Sequence, residues 1–315
     1  MLRQPHISVV IPSYRRPALL MRALDSVFAQ TFRQFEAIVV LDGPDDNTVR
    51  ALNTIVDPRM RVFVNPHSLT AAGARNVGVS HARGEWIAFL DDDDEWLPDK
   101  LEKQLALAQG AVLVTCLSRV ITPTATFVWP DKIYDNDTPL DEYLFDRRTP
   151  FAGSGFLQTS SYLVSRAAFA EACFRADTPH DDWDFVIRLS KGLGVRIETA
   201  AEVLVNVYVE ESRTSLSAKD SWMASVAWID RLRPIVTARA YSGFCLSVAG
   251  PRAADERAYS AFLPLLLKAF SSGSPRIVHL LAYMAFWVLP KYSRRRLRAS
   301  FSTRRISSGW RRMVA

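Results

Sequence analysis

Five acids in succession, Asp91-Asp92-Asp93-Asp94-Glu95, follow directly on the apolar run WIAFL. Adjacent carboxylates repel, each near pair costing about 1 kcal/mol in water and more where water is scarce. Phe89, Leu90 and Trp96 flank the run, so it is not a freely solvated loop. A divalent cation would relieve the repulsion, and an all-oxygen donor set suits Mg2+ or Mn2+ rather than zinc. The same acids could instead cap the helix starting near Pro98, since negative charge is favoured at a helix N-terminus. Residue type alone leaves both open. A second cluster, His180-Asp181-Asp182-Trp183-Asp184, opens the amphipathic segment WDFVIRLS. There a carboxylate can serve simply as an N-cap, or stay ionised and act as a general base. Tyr14 and Asp42 end two further apolar runs.

The elements that must position these residues alternate in type. Apolar runs at 6–14, 35–43, 60–65, 85–91 and 111–120 read as strands, and helical spacing covers 17–30, 45–56, 71–81 and 98–109. Continuously apolar strands separated by helices predict an α/β, doubly wound, mostly parallel sheet covered on both faces. Ligands of such a sheet sit beyond the carboxyl ends of its strands, which gathers Tyr14, Asp42 and the acid run at one edge. A loop-rich stretch with Pro123, Pro130, Pro139 and Pro150 follows. Regular structure resumes with strands over 159–166, 195–199 and 202–209, helices over 167–174 and 182–191, and helical sequence from about 218 onward.

Composition bounds the function. With 315 residues, 49% hydrophobic and 23% charged, the chain is neither disordered nor collagen-like nor a multi-span membrane protein. Cys116, Cys173 and Cys245 are odd in number and form no CxxC pair. That argues against a disulfide framework or zinc ribbon and fits a reducing, cytoplasmic setting. The N-terminal MLRQPHISVVIPSY carries no signal-peptide pattern. Formal charge is +6, but residues 291–315 hold nine Lys or Arg and no acid, which leaves −3 on residues 1–290. A basic tail of this kind seeks polyanions.

Three stretches resemble a known family when taken in order: IPSYRRPALLMRALDSVFAQTFRQFEAIVVLDG, AGARNVGVSHARGEWIAFLDDDDEWLPDKLEKQ and HDDWDFVIRL. They are similar to the family-2 inverting glycosyltransferases with a GT-A fold, and the resemblance spans about residues 7–215. It implies a Rossmann-like catalytic domain over 1–217 and transfer of a sugar, with inversion, from a nucleotide-diphosphate donor to an acceptor hydroxyl. By this resemblance Tyr14 stacks on the nucleotide base beside Pro12, and Asp42 bonds the base, typically uracil. Arg75 and Asn76 fall on a segment near the donor. Asp91 and Asp93 match the DxD pair that holds Mn2+ or Mg2+, and Asp92 lies near the ribose. Asp182 matches the general base, with Asp181 in place of the usual glutamate. Arg213 falls where a basic residue often meets the donor phosphates. The chain departs from the family where Leu41-Asp42 replaces paired acids and Pro44 follows Gly43.

The region 218–315 is expected to be helical with a basic tail. IVHLLAYMAFWVL, residues 277–289, would extend about 20 Å as a helix, short of the roughly 30 Å hydrocarbon core. Together with AFLPLLLKAF at 261–270 and the arginine-rich end, it fits a membrane-surface anchor, or else a buried hairpin or dimer contact. The expectation is a peripheral enzyme on the inner membrane face, acting on a saccharide or lipid-linked saccharide in bacterial polysaccharide assembly. A nucleotidyltransferase would show a Gly-rich phosphate loop after the first strand, where Arg15-Arg16 stands instead. A non-catalytic polyanion-binding protein would use the basic tail, but the acidic body argues against nucleic acid as its partner.

Overall fold

The structure, a computed structural model, describes residues 4–148, 155–193, 195–209 and 221–289. Its elements in chain order begin with β1 (Ile7–Ser13), α1 (Pro17–Phe28), β2 (Phe35–Leu41), α2 (Asp46–Leu52), β3 (Met60–Val64) and α3 (Thr70–Ser80). Next come β4 (Trp86–Phe89), β5 (Glu95–Trp96), α4 (Lys100–Ala106), β6 (Leu113–Ile121), β7 (Thr126–Trp129) and α5 (Leu140–Phe145). Then follow β8 (Leu163–Ser165), α6 (Asp181–Leu193), β9 (Ile197–Tyr208), α7 (Trp222–Leu232) and α8 (Ala238–Phe244). The chain ends its described part with α9 (Gly250–Asp255), α10 (Phe262–Ser271) and α11 (Ile277–Val288). Two compact units divide these elements: Met1–Thr122 with Leu157–Glu210, and Pro123–Phe156 with Glu211–Ala315.

The sheet of the first unit runs β3-β2-β1-β4-β8-β6-β9-β5. β1 pairs parallel with both β2 and β4, and β2 pairs parallel with β3. β8 runs antiparallel to β4 and β6, so the sheet is mixed beyond its parallel half. β1 and β2 are buried at every position, which is why their sequences are apolar runs and not alternations. α1 starts on Pro17, whose missing N–H costs nothing there, and buries Leu20, Ala23, Leu24 and Val27 at helical spacing. α2 is capped by the Asp45 side chain, which accepts from the N–H groups of Asn47 and Thr48. α3 lies close on β1, because a Cβ at Gly78 would stand 2.4 Å from a Val10 methyl.

The sequence expectation differs in several places. A single strand, β9, covers what read as two, 195–199 and 202–209; its register with β6 shifts around Cys116–Ser118. A short 3-10 segment, Arg166–Ala170, replaces the helix expected over 167–174. β5 was not expected at all: two residues suffice because Trp96 is fixed by Val205 of β9 and by its Nε1–H donating to the Ser160 carbonyl at 2.8 Å.

The second unit holds β7, α5 and α7–α11, so the described residues 221–289 are largely helical as expected, and the basic tail lies outside the described residues. Phe145 packs edge-on to Phe244 at 5.1 Å between ring centres, and Trp228 lies 5.0 Å from Phe244. Asp146 receives the Arg276 Nε–H at 2.9 Å, and Asp230 receives Lys268 Nζ and the Tyr241 hydroxyl, each at 2.6 Å. No helix among the described residues is long and apolar enough to cross a membrane.

Candidate active site

The order β3-β2-β1-β4 places β1 where the winding direction reverses, and the crevice beyond its carboxyl end is where such sheets bind ligands. Pro12 is buried at that end, facing the β4 side beyond the last β1–β4 pair, Val10–Phe89. A residue without an N–H there costs no ladder bond. Tyr14 follows, 45% exposed, with the Arg15 guanidinium 5.2 Å from its ring centre. Arg15 itself has φ of +55°, and Gly43 at the end of β2 has φ of +124°, a conformation that suits only glycine without strain.

Asp42, buried at the end of β2, accepts from Asn65 Nδ2 at 3.0 Å, Ser68 Oγ at 2.6 Å and the Leu69 N–H at 2.7 Å. Its carboxylate thus anchors the loop entering α3. Thr70 begins that helix at φ +68°, strained for a β-branched residue by an order of 1–3 kcal/mol and held by those same bonds.

The acid run sorts by direction. Asp92 and Asp94 are buried, whereas the side chains of Asp91 and Asp93 are each 27% exposed. Asp92 accepts from Ser13 Oγ at 2.7 Å and Arg16 at 3.2 Å; burial nevertheless pushes its carboxyl up to about 6, with Asp93 adding to the rise. Asp94 accepts from Gln158 Nε2 at 2.6 Å and Ser160 Oγ at 2.7 Å, and burial, then Asp91 and Asp93, drives it well above the carboxylate range. Arg16 also reaches Asp93 at 3.2 Å, and Arg22 binds Glu95 at 2.8 Å. Arginines therefore share in relieving the repulsion that residue type alone assigned to a cation or a helix end.

Arg75 connects the two acidic clusters. Its buried guanidinium on α3 donates to Asp91 at 2.7 Å and to Asp181 at 2.6 Å, 106 residues away in sequence. Burial works against its charge, but Asp91, Asp181 and Asp182 outweigh that and raise its pKa. Below lies a ring cluster: Phe174 is edge-on to Phe89 at 5.2 Å and stacked on Phe185 at 4.5 Å. It fixes the end of β4 against the start of α6. Asn76 serves the same end, its amide donating to the Phe174 carbonyl at 2.8 Å and accepting the Phe174 N–H at 3.1 Å.

Asp182 opens α6, half-buried, with its Oδ1 accepting the Trp183 N–H at 2.8 Å. Burial, then Asp181, pushes its carboxyl up to about 7, while the Trp183 N–H and Arg75 hold it back. A carboxyl poised near neutrality is suited to taking a proton. His180 stacks on Trp183, ring centres 5.0 Å apart.

Of the residues singled out from the sequence, Pro12, Tyr14, Asp42, Arg75, Asp91, Asp92, Asp93 and Asp182 gather at this edge of the first unit, and Asn76 braces its floor. Arg213 lies outside the described residues. Sequence reasoning missed Ser13, Arg16, Gln158 and Ser160, which hold the acids in place; Arg16 was visible only as a basic residue following the first strand. It also missed Tyr162, fully buried, whose hydroxyl has no hydrogen-bond partner among the described residues. Burial, then Asp182 and Asp181, raises its pKa well above the usual value, so the hydroxyl is neutral. Tyr162→Phe is expected to shift stability by less than about 1 kcal/mol, and toward greater stability, because no bond is lost. A urea midpoint that drops further would reveal a partner for the hydroxyl.

Comparison with known proteins bears on the family and the fold. The family described as Glycosyl transferase family 2 matches residues 8–171. The amylovoran biosynthesis glycosyltransferase AmsB of Erwinia amylovora is 32% identical over 247 residues, which are 74% of this chain and 79% of that protein. An Escherichia coli protein, UDP-Glc:alpha-D-GlcNAc-diphosphoundecaprenol beta-1,3-glucosyltransferase WfgD, is 37% identical over 101 residues, only 40% of its length. Among solved structures, S. aureus TarS 1-349 in complex with UDP-GlcNAc superposes with TM-score 0.57 at 15% identity, covering 89% of this chain and 90% of that one. The mannosyltransferase PcManGT from Pyrobaculum calidifontis, in complex with GDP-Man and Mn2+, gives 0.56 at 17% identity, covering 92% and 88%. At these identities the structures show the GT-A fold alone.

Proposed function

The chain belongs to glycosyl transferase family 2, and on that footing we propose that it moves a sugar, with inversion, from a UDP-sugar to the hydroxyl of a lipid-linked saccharide at the inner face of a bacterial membrane. The observation that carries the reading is the Arg75 bridge, which joins the Asp91 end of β4 to the Asp181-Asp182 start of α6. A donor site and a base must meet if one is to attack what the other holds. The printed names of WfgD and the TarS complex support a UDP-sugar, and that of WfgD a lipid-linked acceptor.

In this reading the exposed Tyr14 ring stacks on the base, and Asp42 meets it while keeping the 65–69 loop in position. Asp182 takes the acceptor proton onto its carboxylate as the acceptor oxygen bonds to the anomeric carbon. The bond from that carbon to the diphosphate oxygen breaks at the same time, and the electron pair leaves with the nucleoside diphosphate. Arg75 keeps Asp182 from rising further in pKa and so preserves its ionised fraction.

The half-exposed Asp91 and Asp93 offer the hard oxygen donors that suit a divalent ion. Among the described residues no three acidic, His or Cys side chains gather at one point, so Asp93 and Asp91 are the protein's own oxygen donors there. Mn2+ or Mg2+ held there by Asp93 and Asp91 would supply charge neutralisation for the departing diphosphate.

The test is turnover and binding across a panel of nucleotide sugars with Mn2+, Mg2+ or EDTA. We expect one donor to engage selectively, and Asp93→Ala or EDTA to lower turnover about 10²–10³-fold, the scale of several kcal/mol of lost charge stabilisation. Indifference of every donor to both metal and mutation would sink the assignment of the acid run.

A further inference from the structure

Helices α10 and α11, both in the second unit, pack on the segment 245–249 and meet one another where Tyr283 reaches Phe262 at the start of α10. The Tyr283 hydroxyl donates to the Phe262 carbonyl at 2.7 Å, and the two rings stack at 5.3 Å. Leu265 and Ala269 of α10, and His279, Ala282 and Tyr283 of α11, are buried on the inner sides of the two helices, His279 beside Asp146 and Ala269 under Ser242. The opposite faces are also apolar. Leu263, Leu267 and Phe270 recur at i, i+4, i+7 on α10, and Ile277, Leu281 and Val288 lie along one face of α11. All six are between 54 and 77% exposed. Isolated exposed apolar residues are ordinary, but two helices each presenting a continuous apolar stripe mark an interaction surface.

Charge says what covers it. From Arg257 to Ala315 the sequence carries twelve Lys or Arg and no Asp or Glu. The two basic side chains of the helical pair are already committed inward, Lys268 to Asp230 and Arg276 to Asp146. The remaining basic residues crowd into the segment that follows α11. A second copy docking symmetrically would cover the apolar stripes but leave this acid-free, twelve-cation C-terminal sequence without a counter-charge. An anionic lipid surface satisfies both features, taking the apolar stripes into its acyl boundary and the arginines among its headgroups.

We propose that the outer faces of α10 and α11 form a bilayer-docking surface selective for anionic lipid. The inference deepens the lipid-linked acceptor reading by naming the surface that brings the enzyme to its acceptor, and it is tested without any acceptor. The full chain is floated with phosphatidylcholine vesicles, with and without phosphatidylglycerol, at low and high salt. The wild type should float with the anionic vesicles, and less so at high salt. The double variant Leu267→Glu, Leu281→Glu should partition about tenfold more weakly or worse, because two charges now face the acyl boundary. Both positions are more than half exposed, so its thermal melting and its UDP binding should match wild type. Those two readouts separate failure of this surface from failure of the donor site. Failure of the wild type to float, or equal flotation of the variant, overturns the proposal. So does a wild-type dimer in light scattering that the variant converts to monomer, since the face would then bind a second copy.

Discussion

Replacing Asp182 by Asn is expected to lower the transfer rate about 10³-fold, within the range that removal of a general base costs. Asn keeps the shape and can still accept the Trp183 N–H, so the loss reports proton transfer and not position. The pH profile adds a second signature. Burial and Asp181 push the Asp182 carboxyl up to about 7. Wild-type kcat/KM should therefore fall toward acid with a limb near pH 7, approaching tenfold per unit below it, and the variant should lose that limb. Stability moves the other way. A carboxyl whose folded-state pKa lies above its unfolded value binds its proton more tightly when folded. It carries no penalty below about pH 4, where both states are protonated, and its full ionisation penalty above about pH 7. Asp182→Asn should thus be more stable than wild type above neutrality and indistinguishable in acid. A less active protein that is more stable at pH 8 is what a strained base predicts. A variant that is inactive and also unstable at every pH would assign Asp182 to the fold instead.

The parts of this site that could be read from the sequence are those whose signal is local. β1, β2 and β4 are buried on both faces and so appear as unbroken apolar runs, and a polar or acidic residue at the end of each marks the edge where ligands bind. The Asp181-Asp182 cluster was visible because acids crowd the start of an amphipathic helix. What stayed hidden depends on partners far away in sequence. β5 has too few residues for any propensity, and exists through Val205 and Ser160. The stretch Thr199–Glu202 inside β9 looks like a break, and the pairing with β6 does slip there, Ala201 and Glu202 falling between the Cys116–Ala200 and Leu117–Val203 pairs before the ladder resumes. The acid run gave no hint that Asp92 and Asp94 turn inward while Asp91 and Asp93 face out; that division is made by Ser13, Arg16, Gln158 and Ser160 from two other segments. The helical spacing of α10 and α11 was plain from sequence, but which apolar residues would be left outside was not, because that is decided by how the two helices pack on the segment 238–255.

Arg75→Met should be strongly destabilising. The side chain is 6% exposed and supplies the guanidinium that both Asp91 and Asp181 use. Removing one partner of a buried ionic network costs about 3–5 kcal/mol, because the remaining charges are left without compensation. Urea denaturation of the wild type and the variant at pH 8 checks that figure. The catalytic consequence is separable from it. The Arg75 charge lowers the Asp182 pKa, so in whatever variant protein remains folded the acidic limb should move above pH 7. Arg75→Lys sharpens the argument. It retains the positive charge but presents an ammonium in place of the planar fork that donates to two carboxylates at once. It should therefore recover part of the pH limb while recovering less of the stability. If Arg75→Met folded with wild-type stability and an unmoved limb, the two acidic clusters would be neighbours without being coupled. The assembly of donor site and base would then rest on the Phe89, Phe174 and Phe185 rings beneath them and on the Asn76 bonds to Phe174.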